Sequence, residues 1–234
     1  MKTTYTLHGF LGLQTDWSQH DLLTAAVPVD LTSISSPRNG LKAWGAAFNQ
    51  FVDKEGKRVV IGYSLGGRLA LHAIAENPTL WDAAVIISAH PGLKTQQEKE
   101  DRLNHDRQWA SRFLTEEWDL LIQAWNNQAV FAGDNIKLLR RESDYDRLHL
   151  AVTLVGWSLG KQEDLTEKIA NAPFPILWMA GSRDKIYSTV AKNLTFSHPR
   201  SKVCIVPKSG HRVPWENPKF FQKEVSKFLD SSDT

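Results

Sequence analysis

The sequence predicts an α/β protein: a mainly parallel sheet with helices on both faces and an all-helical insertion over one end. Three observations carry this reading. Short, almost continuous apolar runs recur at Arg58 to Ile61, Ala83 to Ser88, Ile176 to Ala180 and Lys202 to Val206, as strands covered on both faces require. Between them lie stretches with helical spacing, so strand and helix alternate and right-handed crossovers follow. The connection from Ser88 to Ile176 spans roughly 85 residues, far beyond the ~30 of a strand–helix–strand unit.

Each element has its own local cause. Tyr5 to Leu7 reads as a short strand ended by His8-Gly9-Phe10-Leu11-Gly12. Ala25 to Leu31 reads as a second strand, and Pro28 consigns it to an edge or an irregular course. Leu41, Trp44, Phe48 and Phe51 share one face of a helix over Leu41 to Val52. Leu69 to Glu76 is helical and stops at Asn77-Pro78, and Phe220 to Leu229 is a final amphipathic helix. Inside the long connection, Thr115 is placed as the N-cap of a helix carrying Trp118, Leu121, Ile122 and Trp125. Leu148, Ala151, Val152, Val155 and Leu159 form a second helical stripe. The expected division is a core of residues 1–89 and 174–234 and a helical cap of residues 90–173.

Bulk properties exclude several function classes. The 234 residues are 41% hydrophobic and suit one domain with an inserted subdomain. A net charge of +2, with both signs mixed along the chain, argues against nucleic acid and against a membrane surface. A single cysteine, Cys204, excludes an internal disulfide framework and suits a reducing compartment. Met1-Lys2-Thr3-Thr4-Tyr5 lacks the apolar core of a signal peptide, and no apolar run is long enough to span a bilayer. A cytoplasmic monomer or weak homo-oligomer is expected. No zinc-like ligand spacing is present, so a metal is not required.

The motif that carries chemistry is Gly62-Tyr63-Ser64-Leu65-Gly66, set between a predicted strand and a predicted helix. A strand that turns at once into a helix leaves its serine strained and projecting above the sheet edge. Such a serine needs a base, and the base needs an orienting carboxylate. The required chain order is serine, acid, histidine. Asp184 follows the strand ending at Ala180, and His211 follows the strand ending at Val206; both stand just past carboxyl ends of strands, where open sheets place their sites. The Leu65 N–H, at a helix start, and the Phe10 N–H, in the early loop, are the expected oxyanion donors.

With these residues placed, the chain resembles the α/β-hydrolase superfamily. It is similar to one branch, the 2-succinyl-6-hydroxy-2,4-cyclohexadiene-1-carboxylate synthases of menaquinone biosynthesis. Carrying the likeness are Tyr63 and Arg68 around the serine, His90-Pro91-Gly92-Leu93, Arg102, Asp106-Arg107-Gln108-Trp109 and Arg112-Phe113-Leu114-Thr115-Glu116. Trp125, Val130-Phe131-Ala132, Gly181-Ser182-Arg183-Asp184, Gly210-His211 and Glu216-Asn217-Pro218 continue it. The resemblance implies elimination of pyruvate from a cyclohexene polycarboxylate, with Ser64 as base, activated by His211 and Asp184, and with no cofactor needed. It implies substrate contacts from Tyr63, Arg68, Arg102, Trp125 and one of Arg140-Arg141, taken as Arg141. Arginine suits that task because it grips carboxylates with paired hydrogen bonds. The expected partner is therefore a small anionic substrate. After Asp30-Leu31 the chain reads Thr32-Ser33-Ile34-Ser35-Ser36 where many relatives carry Gly-His-Gly. The same triad also serves a carboxylesterase or thioesterase, and a ligand-binding protein on this scaffold is a third reading.

Overall fold

The structure, a computed structural model, describes residues 2–230. The outer bounds expected for the core, Met1 and Thr234, lie outside them. In chain order the elements are β1 (Lys2–Leu7), β2 (Val27–Pro28), α1 (Leu31–Ile34), α2 (Gly40–Phe51), β3 (Lys57–Tyr63), α3 (Leu65–Glu76) and β4 (Ala83–Ile87). There follow α4 (Gln96–Thr115), α5 (Trp118–Asn126), α6 (Arg147–Gly156) and α7 (Thr166–Ala170). The chain closes with β5 (Ile176–Gly181), α8 (Lys185–Lys192), β6 (Lys202–Val206), α9 (Val213–Glu216) and α10 (Pro218–Asp230). Short 3₁₀ turns join several of them.

The six strands form one sheet in the order β2-β1-β3-β4-β5-β6, and every pairing is parallel. Their apolar residues alternate between faces, as the pleat dictates. Val60, Ala84, Ile86, Ile176 and Trp178 pack with Trp44 and Phe48 of α2 and Leu69 and Ile74 of α3. Val59, Ile61, Val85, Ile87, Leu177 and Met179 pack with Phe221, Val225 and Phe228 of α10. With both faces covered, the strands need no polar side, which is why they read as continuous apolar runs.

Between β4 and β5 the described chain is helical, and α4, α5 and α6 share their own core. Trp109, Phe113, Trp118, Leu121, Leu150 and Leu154 meet there, with Leu11 from the loop after β1. Phe113 is fully buried.

Four local expectations are corrected. The second strand shrinks to Val27–Pro28 at the sheet edge, where the missing N–H of Pro28 costs least. Thr115 is the last residue of α4 rather than a cap: its Oγ1 donates to the Ser111 carbonyl, and Glu117 caps α5 by accepting from the N–H groups of Asp119 and Leu120. Helix α4 itself went unpredicted, although Thr95 and Glu98 form a capping box at its start. It buries only Asp106, Trp109, Ala110 and Phe113, too few apolar residues to show a stripe. In α6 the inward residues are Leu150, Ala151 and Leu154; Leu148 is exposed and Leu159 lies beyond the helix in a 3₁₀ turn.

Candidate active site

The turn from β3 into α3 holds Ser64 at φ 52° and ψ −110°, a conformation L-residues rarely adopt. Such strain costs about 1–3 kcal/mol and persists only where the surroundings enforce it. Here the Ser64 N–H donates to the Ile87 carbonyl at 2.8 Å, and the Ser64 carbonyl accepts from the Arg68 N–H at 3.0 Å. The flanking glycines permit the crossing. A Cβ on Gly62 would lie 2.6 Å from the Gly66 carbonyl oxygen, and one on Gly66 would lie 2.4 Å from that of Leu7.

Asp184 and His211 reach the same point from the ends of β5 and β6. Asp184 caps α8, its Oδ1 accepting from the Tyr187 N–H at 3.0 Å. Its Oδ2 lies 2.7 Å from His211 Nδ1, and His211 Nε2 lies 3.1 Å from Ser64 Oγ. With an ionised Asp184, Nδ1 carries the proton and Nε2 is left to accept from the serine. Both residues are buried. Rings of Tyr187, Phe131 and Tyr63 surround the imidazole at centroid distances of 4.6, 5.6 and 5.6 Å.

Side chains distant in sequence hold the histidine loop. Asp134 Oδ1 accepts from the His211 N–H at 2.5 Å, and its Oδ2 pairs with Arg212 at 3.2 Å. Burial pushes the Asp134 carboxyl above its ordinary range, with Arg212 and His211 opposing that shift. Arg212 also donates to the Ile136 carbonyl and to Asn126 Oδ1 and lies over the Phe131 ring. Glu216 Oε2 accepts from the Gly210 N–H at 2.6 Å and from Arg183 at 3.0 Å.

Phe10 and Leu65 line the cavity that Ser64 opens into. Leu65 is the first residue of α3, so its N–H has no acceptor within the helix. Phe10 occupies the second position of a turn closed by the Gly12 N–H on the Gly9 carbonyl at 2.9 Å, with Leu11 at φ 56°. That turn type leaves the N–H of its second residue out of the closing bond.

The cavity measures about 690 Å³ and lies between the sheet edge and α4–α6. Ser64, His211, Tyr187, His90 and Arg68 line it from below; Arg102, Trp125, Phe131 and Trp157 line it from the helical side. Arg68 is buried and donates to Gln162 Oε1 at 3.2 Å and to the Trp157 carbonyl at 2.8 Å. Burial, with the like charge of Arg102, draws its pKa down to about 10, so it stays cationic at neutral pH. Arg102 places Nε 3.0 Å from both oxygens of Asp106, which also accepts from Ser158 Oγ at 2.7 Å. Burial alone would lower the Arg102 pKa; Asp106 and Tyr187 more than offset it, and the net shift is upward. Trp125 packs against Phe10 and Trp109, each at 4.9 Å between centroids.

A family model described as the alpha/beta hydrolase family matches residues 6–223. The chain belongs to this family. Among its relatives, a Bacillus subtilis protein provisionally named 2-succinyl-6-hydroxy-2,4-cyclohexadiene-1-carboxylate synthase is 30% identical over 96% of this chain and 89% of its own length. The Escherichia coli O1:K1 protein of the same name is 32% identical over 68% of this chain and 63% of its own. Among solved structures, MenH from S. aureus superposes with a TM-score of 0.86 at 20% identity, covering 100% of this chain and 95% of that one. A thermophilic esterase from Thermogutta terrifontis, malate bound, gives 0.74 at 18% identity over 100% and 91% of the two chains. This hydrolase-family chain is thus similar to the synthases along nearly its whole length.

The structure of this α/β-hydrolase brings Ser64, Asp184, His211, Phe10, Leu65, Arg68, Arg102 and Trp125 together. It does not bring Arg141 with them, and it sets Tyr63 beside the triad but outside the lining of the larger cavity. Tyr63 is buried, its ring 5.6 Å from that of His211 and 4.9 Å from that of Trp215 between centroids, and it lines an adjoining cavity of about 60 Å³ that Phe10, Ser64 and Trp125 also line. Arg141 is exposed and lines neither cavity; it precedes a 3₁₀ turn at Glu142–Asp144. Arg140 is the inward member of the pair, held by Asp16 at 3.0 and 2.7 Å. Sequence reasoning missed Tyr187, Gln162, Asp134 and Arg212. Only Tyr187 left a local signal, three residues after Asp184 in the first turn of the helix it caps. Among the described residues no His, Cys, Asp and Glu group could hold a metal ion, and no helix is long and apolar enough to cross a membrane.

Proposed function

We propose that this chain is a lyase that eliminates pyruvate from a polycarboxylate cyclohexene precursor in menaquinone biosynthesis, with Ser64, His211 and Asp184 as its base. The observation that carries the reading is the shared cavity: a serine 3.1 Å from its histidine opens into a space that also holds Arg68 and Arg102. Two cations beside the reacting group suit a substrate with several carboxylates and serve no purpose for a neutral ester. The names of its sequence relatives support the same class.

In this mechanism Ser64 Oγ takes a ring proton while its own proton passes to His211 Nε2. The C–H electrons move through the ring system to a conjugated carbonyl oxygen, held by the Phe10 and Leu65 N–H groups. Their return breaks the C–O bond to the enolpyruvyl group. His211 returns its proton to the departing enolate, which becomes pyruvate. Asp184 keeps the imidazole in the required tautomer and stabilises its charged form. No acyl-enzyme forms.

The second reading, a carboxylesterase or thioesterase, rests on the same elbow, whose geometry equally suits attack on a carbonyl. Purified protein incubated with the precursor separates them. Pyruvate release with slow turnover of simple aryl esters is expected; rapid ester hydrolysis without pyruvate would move the assignment to the esterase.

A further inference from the structure

We propose that Tyr187 is a substrate-anchoring residue, its hydroxyl and the Arg102 guanidinium forming a two-point receptor for one carboxylate of the substrate. This deepens the reading above and takes from it only that the substrate is anionic.

Three contacts fix Tyr187. Its backbone N–H donates to Asp184 Oδ1 at 3.0 Å, tying it to the carboxylate that orients His211. Its ring stands edge-on to the His211 ring at 4.6 Å and lies 6.4 Å from that of His90. Its side chain lines the cavity together with that of Arg102. These three contacts need only a phenyl ring and a backbone, so a phenylalanine would satisfy them. The hydroxyl is left to the cavity.

A phenolic hydroxyl can donate one hydrogen bond. Here the cavity it lines, beside Ser64 and His211, is where an acceptor can reach it. Arg102 is half committed. Its Nε is used by Asp106, while its side chain remains 37% exposed along the cavity wall. Arg68 is bound to Gln162 and the Trp157 carbonyl and contributes mainly field. An anionic oxygen between Arg102 and Tyr187 would gain one charged donor and one donor polarised by that charge. The position is next to the triad, so a carboxylate held there sets the distance of the rest of the substrate from Ser64.

The test is titration of the intact protein with succinate and, separately, with its neutral dimethyl ester, followed by calorimetry. Tyr187→Phe should weaken succinate binding roughly tenfold or more and change binding of the dimethyl ester less than about twofold. Arg102→Met should also weaken succinate binding, and the double variant should lose less than the product of the two single losses. In kinetics with the anionic precursor, Tyr187→Phe should raise KM more than it lowers kcat. Equal weakening of acid and ester, multiplicative losses, or no preference of the wild-type protein for the acid would each overturn the proposal. Because the titration reads carboxylate binding, its outcome is independent of whether pyruvate is released.

Discussion

The sheet side and the helical side of the cavity are built by different means. On the sheet side, Ser64, Asp184 and His211 sit at the ends of β3, β5 and β6; backbone bonds set the first two, Ser64 N–H to Ile87, Ser182 N–H to Val206 and Arg183 N–H to Ser209, and the carboxylates of Asp134 and Glu216 add bonds to the backbone of the His211 loop. On the helical side, Arg102, Trp125 and Phe131 are placed by side chains alone: Asp106 and Ser158 hold the arginine, and Trp109, Phe113 and Phe10 hold the tryptophan. A sheet tolerates only a few arrangements at its strand ends. A small helical layer can be repacked with far fewer constraints. Under the proposed function, reactivity belongs to the first region, and the second shares substrate choice with Arg68 and Tyr187.

The largest effect should come from the sheet side. Ser64→Ala is expected to lower kcat by about 10⁴-fold or more with little change in KM; a mild loss would remove the serine from the mechanism. On the helical side, Arg102→Met should cost about 2–5 kcal/mol in kcat/KM, mostly through KM. Equal losses in kcat and KM behaviour for both variants would erase the division. A third change probes the helical layer as a structure: Phe113→Ala should destabilise the protein by about 3–5 kcal/mol in denaturant. Loss of substrate affinity without loss of stability there would show that the aromatic cluster is not what shapes the cavity.

A smaller effect concerns pH. His20 and His72 are buried on the two sheet faces, and burial lowers their pKa values to about 4 and about 3. The unfolded chain takes up these protons near pH 6.5, before the folded chain does, so stability is full above that value and falls as the pH drops toward 4. The denaturation midpoint at pH 5 should lie below that at pH 7. A flat or rising midpoint would mean that these rings are solvated.

The same division explains what could be read from the sequence. Strand ends announce themselves locally: Gly62 and Gly66 bracket Ser64, and Asp184 and His211 each follow an apolar run. The helical layer does not. Helix α4 is polar along most of its length and buries Asp106 for the sake of Arg102 and Ser158, a pairing 52 residues long that no periodicity reveals. Arg140 and Arg141 are neighbours in sequence, and only the bond to Asp16, 124 residues away, decides which turns inward. Tyr63 adjoins Ser64 in the chain yet packs against His211 and Trp215 and does not line the larger cavity.

The central claim is that Ser64 removes a proton and is not acylated. Intact-mass spectrometry of the protein during turnover of the cyclohexene precursor, with pyruvate measured in the same sample, tests it most directly. Steady pyruvate release with Ser64 unmodified at every time point is the predicted result. A covalent adduct on Ser64 that forms and decays at the rate of turnover, or turnover with no pyruvate, would contradict it.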